Sequence, residues 1–201
     1  MDTSRWPISS VAGIMAIIFY LVFTLTSFLH YPTAYSPFTN WLSDLGNSQL
    51  NLSGAIFYNV GVILTGITIL PFYIGLYKWN TGEKRMKILL TIAQLAGISS
   101  ALSLIMVRVF PEDYPEAHWF WSTILFVSFA FFLTFSAGSL VKHSAFIKPI
   151  AYYGFTAAVI NFMSGVIYNL VFVGEWISVS MFIIYVVLLV YNFKVIKDRD
   201  S

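Results

Sequence analysis

Apolar residues in this chain run in long blocks separated by short polar punctuation, without the strict alternation of a half-buried strand. No Asp, Glu, Lys or Arg occurs within residues 6–43, 45–77, 88–107, 117–141, 149–174 or 176–193. Each block can hold an apolar helix of about 20 residues, the length that crosses roughly 30 Å of hydrocarbon at about 1.5 Å per residue. The pattern therefore predicts six transmembrane helices, at about 8–30, 54–77, 86–108, 118–141, 149–172 and 176–194. Pro7 and Pro149 fall in first turns, where a missing N–H is tolerated, and Pro71 lies inside the second helix, where a kink is expected. The first apolar block is too long for a signal-peptide core and is expected to be retained as a helix.

The longest predicted connection outside the helices is His30 to Ser53. Within it, residues 37–45 read as a short amphipathic helix, with Ser36 as N-cap, Pro37 as first helical residue and Gly46 as C-terminal stop. Phe38, Trp41, Leu42 and Leu45 are spaced i, i+3, i+4, i+7 and would form one apolar stripe lying on the membrane or capping the bundle.

Composition agrees with the pattern. Of 201 residues, 58% are hydrophobic and 10% charged, and the mean hydropathy is +0.78, which excludes a water-soluble core protein. The expected fold is a single all-α domain over 1–201, a polytopic six-helix membrane bundle. The Tyr-Asn pairs at Tyr58-Asn59 and Tyr168-Asn169 do not extend into an internal repeat, since both fall near the same face of the bundle. The chain has no Cys, which excludes disulfides, thiolate metal sites and a Cys nucleophile.

Sorting the charges by loop gives an orientation. With both termini cytoplasmic, the inner face of a cell membrane collects Arg5, Lys78, Lys84, Arg85, Lys87, Lys142, Lys148, Lys194, Lys197 and Arg199, ten of the 11 basic residues. The mild basicity is thereby explained without nucleic acid, and membrane lipids are the expected partners, with a homo-oligomer or a membrane complex as further options. Trp6, Trp41, Trp79, Trp119, Trp121 and Trp176 all fall at predicted boundaries and read as an aromatic belt.

The predicted membrane interior is chemically quiet. Gln94, Asn161, Ser99, Ser100, Ser103, Thr65 and Thr68 are its main polar groups and read as helix-to-helix hydrogen-bonding residues, and no charge lies near a midplane. That argues against ion-coupled transport. The three His, all at helix ends or in loops, do not suit paired haem ligation, so no haem and no evident cofactor are expected. A divalent metal is neither specified nor ruled out.

The opposite face collects Asp44, Glu112, Asp113, Glu116 and Glu175 with one cation, Arg108, and the histidines His30 and His118. Arg108 breaks the positive-inside bias and needs a partner. Two readings stand: a structural pair with Asp44, Glu112 or Glu175, or a clamp for an anionic group such as a lipid phosphate. Ser43, Asp44 and His118 could supply a nucleophile, an orienting carboxylate and a base for a hydrolase or transferase, although no His-Glu-x-x-His or Gly-x-Ser-x-Gly is present. Asn51-Leu52-Ser53 matches a glycosylation sequon, a pattern frequent by chance.

Trp41-Leu42-Ser43-Asp44-Leu45-Gly46, Phe57-Tyr58-Asn59-Val60-Gly61, Arg108-Val109-Phe110-Pro111-Glu112-Asp113 with His118 after it, and Gly174-Glu175-Trp176-Ile177 together resemble a large prokaryotic family of six-helix membrane proteins. It is the family catalogued as domain of unknown function 998, and the resemblance spans nearly the whole chain. The resemblance implies that Ser43, Asp44, Gly46, Asn59, Pro111, His118 and Glu175 occupy the family's recurrent positions, and it carries no assigned activity. The leading expectation is a polar pocket of Ser43, Asp44, Arg108, Glu112, His118 and Glu175, joined by Asn59, that binds a lipid headgroup or other anionic ligand. The alternatives are a lipid- or polyprenyl-directed hydrolase or transferase using Ser43, Asp44 and His118, and an accessory subunit of a larger membrane complex.

Overall fold

A computed structural model describes residues 6–80, 82–166 and 172–200. Among the described residues there are six α-helices and no strand: α1 Ile8–Leu29, α2 Ala55–Gly75, α3 Lys84–Val109, α4 Pro115–Leu140, α5 Lys148–Val166 and α6 Val173–Asp200. α1, α2 with its 3-10 extension to Trp79, α3, α4 and the Val173–Phe193 part of α6 are each long and apolar enough to cross a membrane. The chain is a polytopic helical membrane protein. The expected end of α5 at 172, and the Tyr168-Asn169 pair, fall on residues 167–171, outside the described ones.

Side-chain size sorts itself as a lipid solvent demands. α1 exposes Ile8, Val11, Ile18, Leu21, Val22, Leu25 and Leu29 and buries Ser9, Ser10, Ala12, Gly13, Ala16 and Ser27. Large aliphatics lose nothing by facing lipid tails, whereas small residues let helix backbones approach closely. α2 meets α3 in the same manner: Gly97 of α3 lies flat against the Tyr73 ring, where a Cβ would come within 2.4 Å of Cδ1.

Helices adjacent in sequence pack side by side from α1 through α6, and α1 also packs on α6. The result is a closed ring. Its apolar core includes Phe72, Tyr73, Phe132, Leu133, Tyr185, Val186 and Leu189, all essentially without exposure. At one face α1 and α3 end while α2, α4 and α6 begin, and the 30–53 connection crosses that face. It is called the site face below.

Three predicted elements differ from the structure. α6 runs Val173–Asp200, beyond the expected 176–194 at both ends, with Glu175 favourable in its first turn. α4 starts at Pro115 instead of 118, because Pro115 suits the first helical position and Glu116 is favourable in a first turn. The amphipathic helix expected over 37–45 does not form. Residues 36–40 make a turn, closed by Thr39 and Asn40 amides donating to the Ser36 carbonyl at 3.1 and 3.0 Å. Trp41 is then extended, and a 3-10 helix runs over Leu42–Gly46. The Asp44 carboxylate accepts the Trp41 N–H at 3.1 Å, a local side-chain bond that competes with helix continuation. The predicted stripe is accordingly broken: Phe38 is 79% exposed, while Leu42, Ser43, Asp44, Leu45 and Gly46 are all buried.

Candidate functional site

The 3-10 helix Leu42–Gly46 is a plug seated in the site face of the ring. Leu42 and Leu45 pack with Tyr20 of α1 and with Tyr58 and Val62 of α2. Sinking a short polar turn into apolar surroundings leaves backbone groups that need partners, and side chains from the surrounding helices supply them. The Leu45 carbonyl accepts from Ser27 Oγ at 3.1 Å and from Asn51 Nδ2 at 3.0 Å, and the Gly46 carbonyl accepts from Asn59 Nδ2 at 2.9 Å. Trp176 Nε1 of α6 donates to the Asn40 carbonyl at 3.0 Å, and the Tyr35 hydroxyl to that of Trp41 at 2.7 Å.

The buried carboxylate of Glu175 completes this set. Its Oε2 accepts both the amide N–H and the hydroxyl of Ser43, each at 3.2 Å. On the opposite side the plug is tied to the α3–α4 connection. Asn47 Nδ2 donates to Glu112 Oε2 at 3.4 Å, the Ser48 amide donates to Asp113 Oδ2 at 3.2 Å, and the Ser48 hydroxyl also bonds Asp113. The Asp44 carboxyl is pushed up to about 6, first by burial and then by the neighbouring Glu112 charge.

Arg108, in the last turn of α3, is buried at 8% exposure. Its guanidinium carbon lies 4.7 Å from the centre of the Tyr58 ring, a cation–π contact. The expected salt bridge is absent: among the described residues Arg108 makes no ion pair, and its buried Nε and Nη1 have no hydrogen-bond acceptor. The reason is visible in the other contacts. Glu175 Oε2 is engaged by Ser43, Glu112 Oε2 by Asn47, and Asp44 Oδ2 by Trp41 and Asn40. Gly46 leaves the space into which Arg108 points. A Cβ there would stand 2.7 Å from Arg108 Nη1 and 2.4 Å from Asn59 Oδ1, the latter another buried atom without a partner.

His118 is anchored through one ring nitrogen. Its Nδ1 donates to the Phe110 carbonyl at 3.1 Å and more weakly to that of Val107 at 3.3 Å. These are carbonyls at the C-terminus of α3 that the helix cannot satisfy itself, so His118 of α4 closes that end from the side. Both bonds require the proton on Nδ1. Ser43, Asp44 and His118 are joined to one another by no hydrogen bond. His30 donates to the Thr26 carbonyl at 2.8 Å and packs 5.1 Å from the Phe57 ring at the exposed rim. Among the described residues no group of three or more His, Asp and Glu is arranged to hold a metal ion.

Beneath Arg108 and Glu175 the ring encloses a cavity. It comprises about 780 Å³ of space outside atoms, open solvent at its mouth included. Arg108, Glu175, Tyr20 and Tyr58 line its mouth, and Val62, Leu104, Phe129, Phe182 and Val186 are among the apolar residues below. Of the residues singled out from sequence, Arg108 and Glu175 face this space, Ser43 is held by Glu175, and Asn59 adjoins Arg108 across Gly46. Glu112 and Asp44 lie in the latch above. Ser27, Asn51 and Tyr58 were not anticipated. Asn51 is fully buried, with its amide engaged by Leu45, Ser27 and the Gly54 N–H, which removes it as a glycosylation acceptor.

A family model described as "Protein of unknown function (DUF998)" matches residues 14–193, and the chain belongs to that family. No curated protein and no solved structure matches it.

Proposed function

We propose that this protein binds an anionic group, such as a lipid headgroup, at Arg108. The reading is carried by one observation: a buried guanidinium with no ion pair and two N–H-bearing atoms without acceptors, standing at the mouth of a cavity. Each unsatisfied buried donor costs about 1–3 kcal/mol, more beside a charge, and the Tyr58 contact returns only about 0.5–2 kcal/mol. An arriving carboxylate or phosphate would bring several acceptor oxygens to these donors and pair with the guanidinium charge. Glu175, the acid that lines the same cavity, has its Oε2 taken by Ser43 and makes no direct bond to Arg108.

The distribution of Lys and Arg supports a cell-membrane orientation with both termini cytoplasmic, which puts the site face outside. Membrane lipids are then the partners of first resort. Native mass spectrometry of the full chain released from its membrane tests the reading. Anionic adducts are expected on the wild type, lost in Arg108→Gln and partly kept in Arg108→Lys. Identical adducts in all three would refute it.

A further inference from the structure

The cavity below Arg108 has two chemically different ends. Its mouth carries the polar groups: Arg108, Glu175 and the hydroxyls of Tyr20 and Tyr58. Deeper down, the polar residues have their hydrogen bonds met within the protein. Thr65 donates to the Gly61 carbonyl at 2.8 Å, and Ser100 donates to the Gly97 carbonyl at 2.7 Å and accepts from the Tyr73 hydroxyl at 3.2 Å. The remaining walls are Ala16, Ile69, Leu104, Phe129, Phe182 and Val186, with the Phe129 and Phe182 rings stacked 3.7 Å apart. Such a shaft offers a polar molecule nothing, and apolar cavities stay dry unless an apolar ligand fills them.

The shaft is also long and narrow. Along α6 it extends from Glu175 to Val186, about 16 Å at roughly 1.5 Å per residue, and along α3 from Arg108 to Ser100, about 12 Å. An extended alkyl chain built of C–C bonds of about 1.5 Å advances roughly 1.25 Å per carbon, so ten to thirteen carbons, about that depth, would fill it.

We propose that the ligand is a single-chain anionic amphiphile, an alkyl or isoprenyl phosphate or a fatty carboxylate, with its headgroup on Arg108 and its chain down the shaft to the level of Val186. This rests on the anion-binding reading of Arg108 and adds to it the class of ligand. A free inorganic anion would leave the shaft empty, and a two-chain lipid would leave one chain outside.

The test is photolabelling of the full chain in phosphatidylcholine nanodiscs by dodecyl phosphate bearing a diazirine at its chain end, mapped by peptide mass spectrometry. A dodecanoate analogue forms a second arm that separates phosphate from carboxylate headgroups. Label is expected on shaft residues such as Phe129, Phe182 and Val186, at least tenfold above lipid-facing Leu21, Leu95 and Val127. It should fall at least tenfold in Ile183→Trp, which fills the shaft, and in Arg108→Gln. Label confined to lipid-facing residues, while the wild type but not Arg108→Gln binds inorganic phosphate, would overturn the single-chain proposal and leave the anion site standing. Shaft label that persists undiminished in Arg108→Gln would place a chain there and overturn the role of Arg108. Should Ile183→Trp not fold, competition of unlabelled butyl against dodecyl phosphate on the wild type decides the matter: equal competition overturns the chain site, and dodecyl stronger by about tenfold or more supports it.

Discussion

Glu175 and Ser43 are 132 positions apart, yet one carboxylate oxygen of Glu175 accepts both the amide and the hydroxyl of Ser43 at 3.2 Å. This contact fastens the plug to the first turn of α6. It also occupies one oxygen of the acid that shares a cavity with Arg108.

The Glu175 contact predicts an order of stabilities. Glu175→Ala leaves a buried N–H and a hydroxyl without their acceptor and should cost about 2–5 kcal/mol; Ser43→Ala keeps the amide bond and should cost about 1 kcal/mol. Glu175→Gln retains an acceptor oxygen and should stay within about 1 kcal/mol of wild type. Thermal unfolding followed by intrinsic fluorescence checks the order. If Glu175→Gln falls as far as Glu175→Ala, the negative charge and not the hydrogen bond holds the plug.

Gly46 predicts a loss of binding in a variant that still folds. A Cβ at position 46 meets Asn59 Oδ1 at 2.4 Å, Arg108 Nη1 at 2.7 Å and the buried Tyr58 ring at 3.1 Å, so Gly46→Ala should cost about 1–3 kcal/mol. It must also displace the guanidinium from its place. Anionic adducts on the folded protein should drop at least tenfold by native mass spectrometry, and unaltered adducts would show that the Arg108 position does not matter.

Asp44 predicts a pH dependence of the latch above the cavity. Its carboxyl is raised from the ordinary 3.8 to about 6 by burial and by Glu112. The folded protein therefore holds this proton more tightly than the unfolded chain. The stabilisation it brings is full below the unfolded value and is lost as pH rises from about 4 through about 6. Hydrogen exchange of the Leu42–Gly46 amides should be slower at pH 5 than at pH 7 after correction for intrinsic rates, and Asp44→Asn should abolish the difference. Faster corrected exchange at pH 5 would contradict the assignment.

His118 predicts a structural phenotype. Replacing it by Ala leaves the Phe110 and Val107 carbonyls unsatisfied at the end of α3, at a cost of about 1–3 kcal/mol, and Asn can restore part of that by donating from its amide. Headgroup binding per folded molecule should survive in both variants. Loss of binding in a fully folded His118→Asn protein would assign His118 a direct role.

The helical bundle was legible because lipid imposes long charge-free runs, and five helices meet the length and apolarity of a span. Arg108 was legible for a related reason, as the one basic residue on the face that the positive-inside bias leaves bare. Its lack of an ion pair was not legible, since composition supplies five acids nearby and only the fold shows which partners occupy those closest to it. The Leu42–Gly46 plug was misread because helical spacing of Phe38, Trp41, Leu42 and Leu45 carries no sign that Asp44 will cap Trp41 and end the run. The cavity was hidden for a further reason. In helices that are apolar all round, the shaft residues Val62 and Leu104 read no differently from lipid-facing Val127 and Leu95.

The most direct test of the central claim is an experimental structure of the protein in its native lipid, inspected at Arg108. An anionic oxygen within about 3 Å of Nε or Nη1, continuing into chain density toward Phe129 and Phe182, is the result predicted here. A guanidinium closed onto Asn59 Oδ1 or onto Glu175, with no density beside it, would contradict the account.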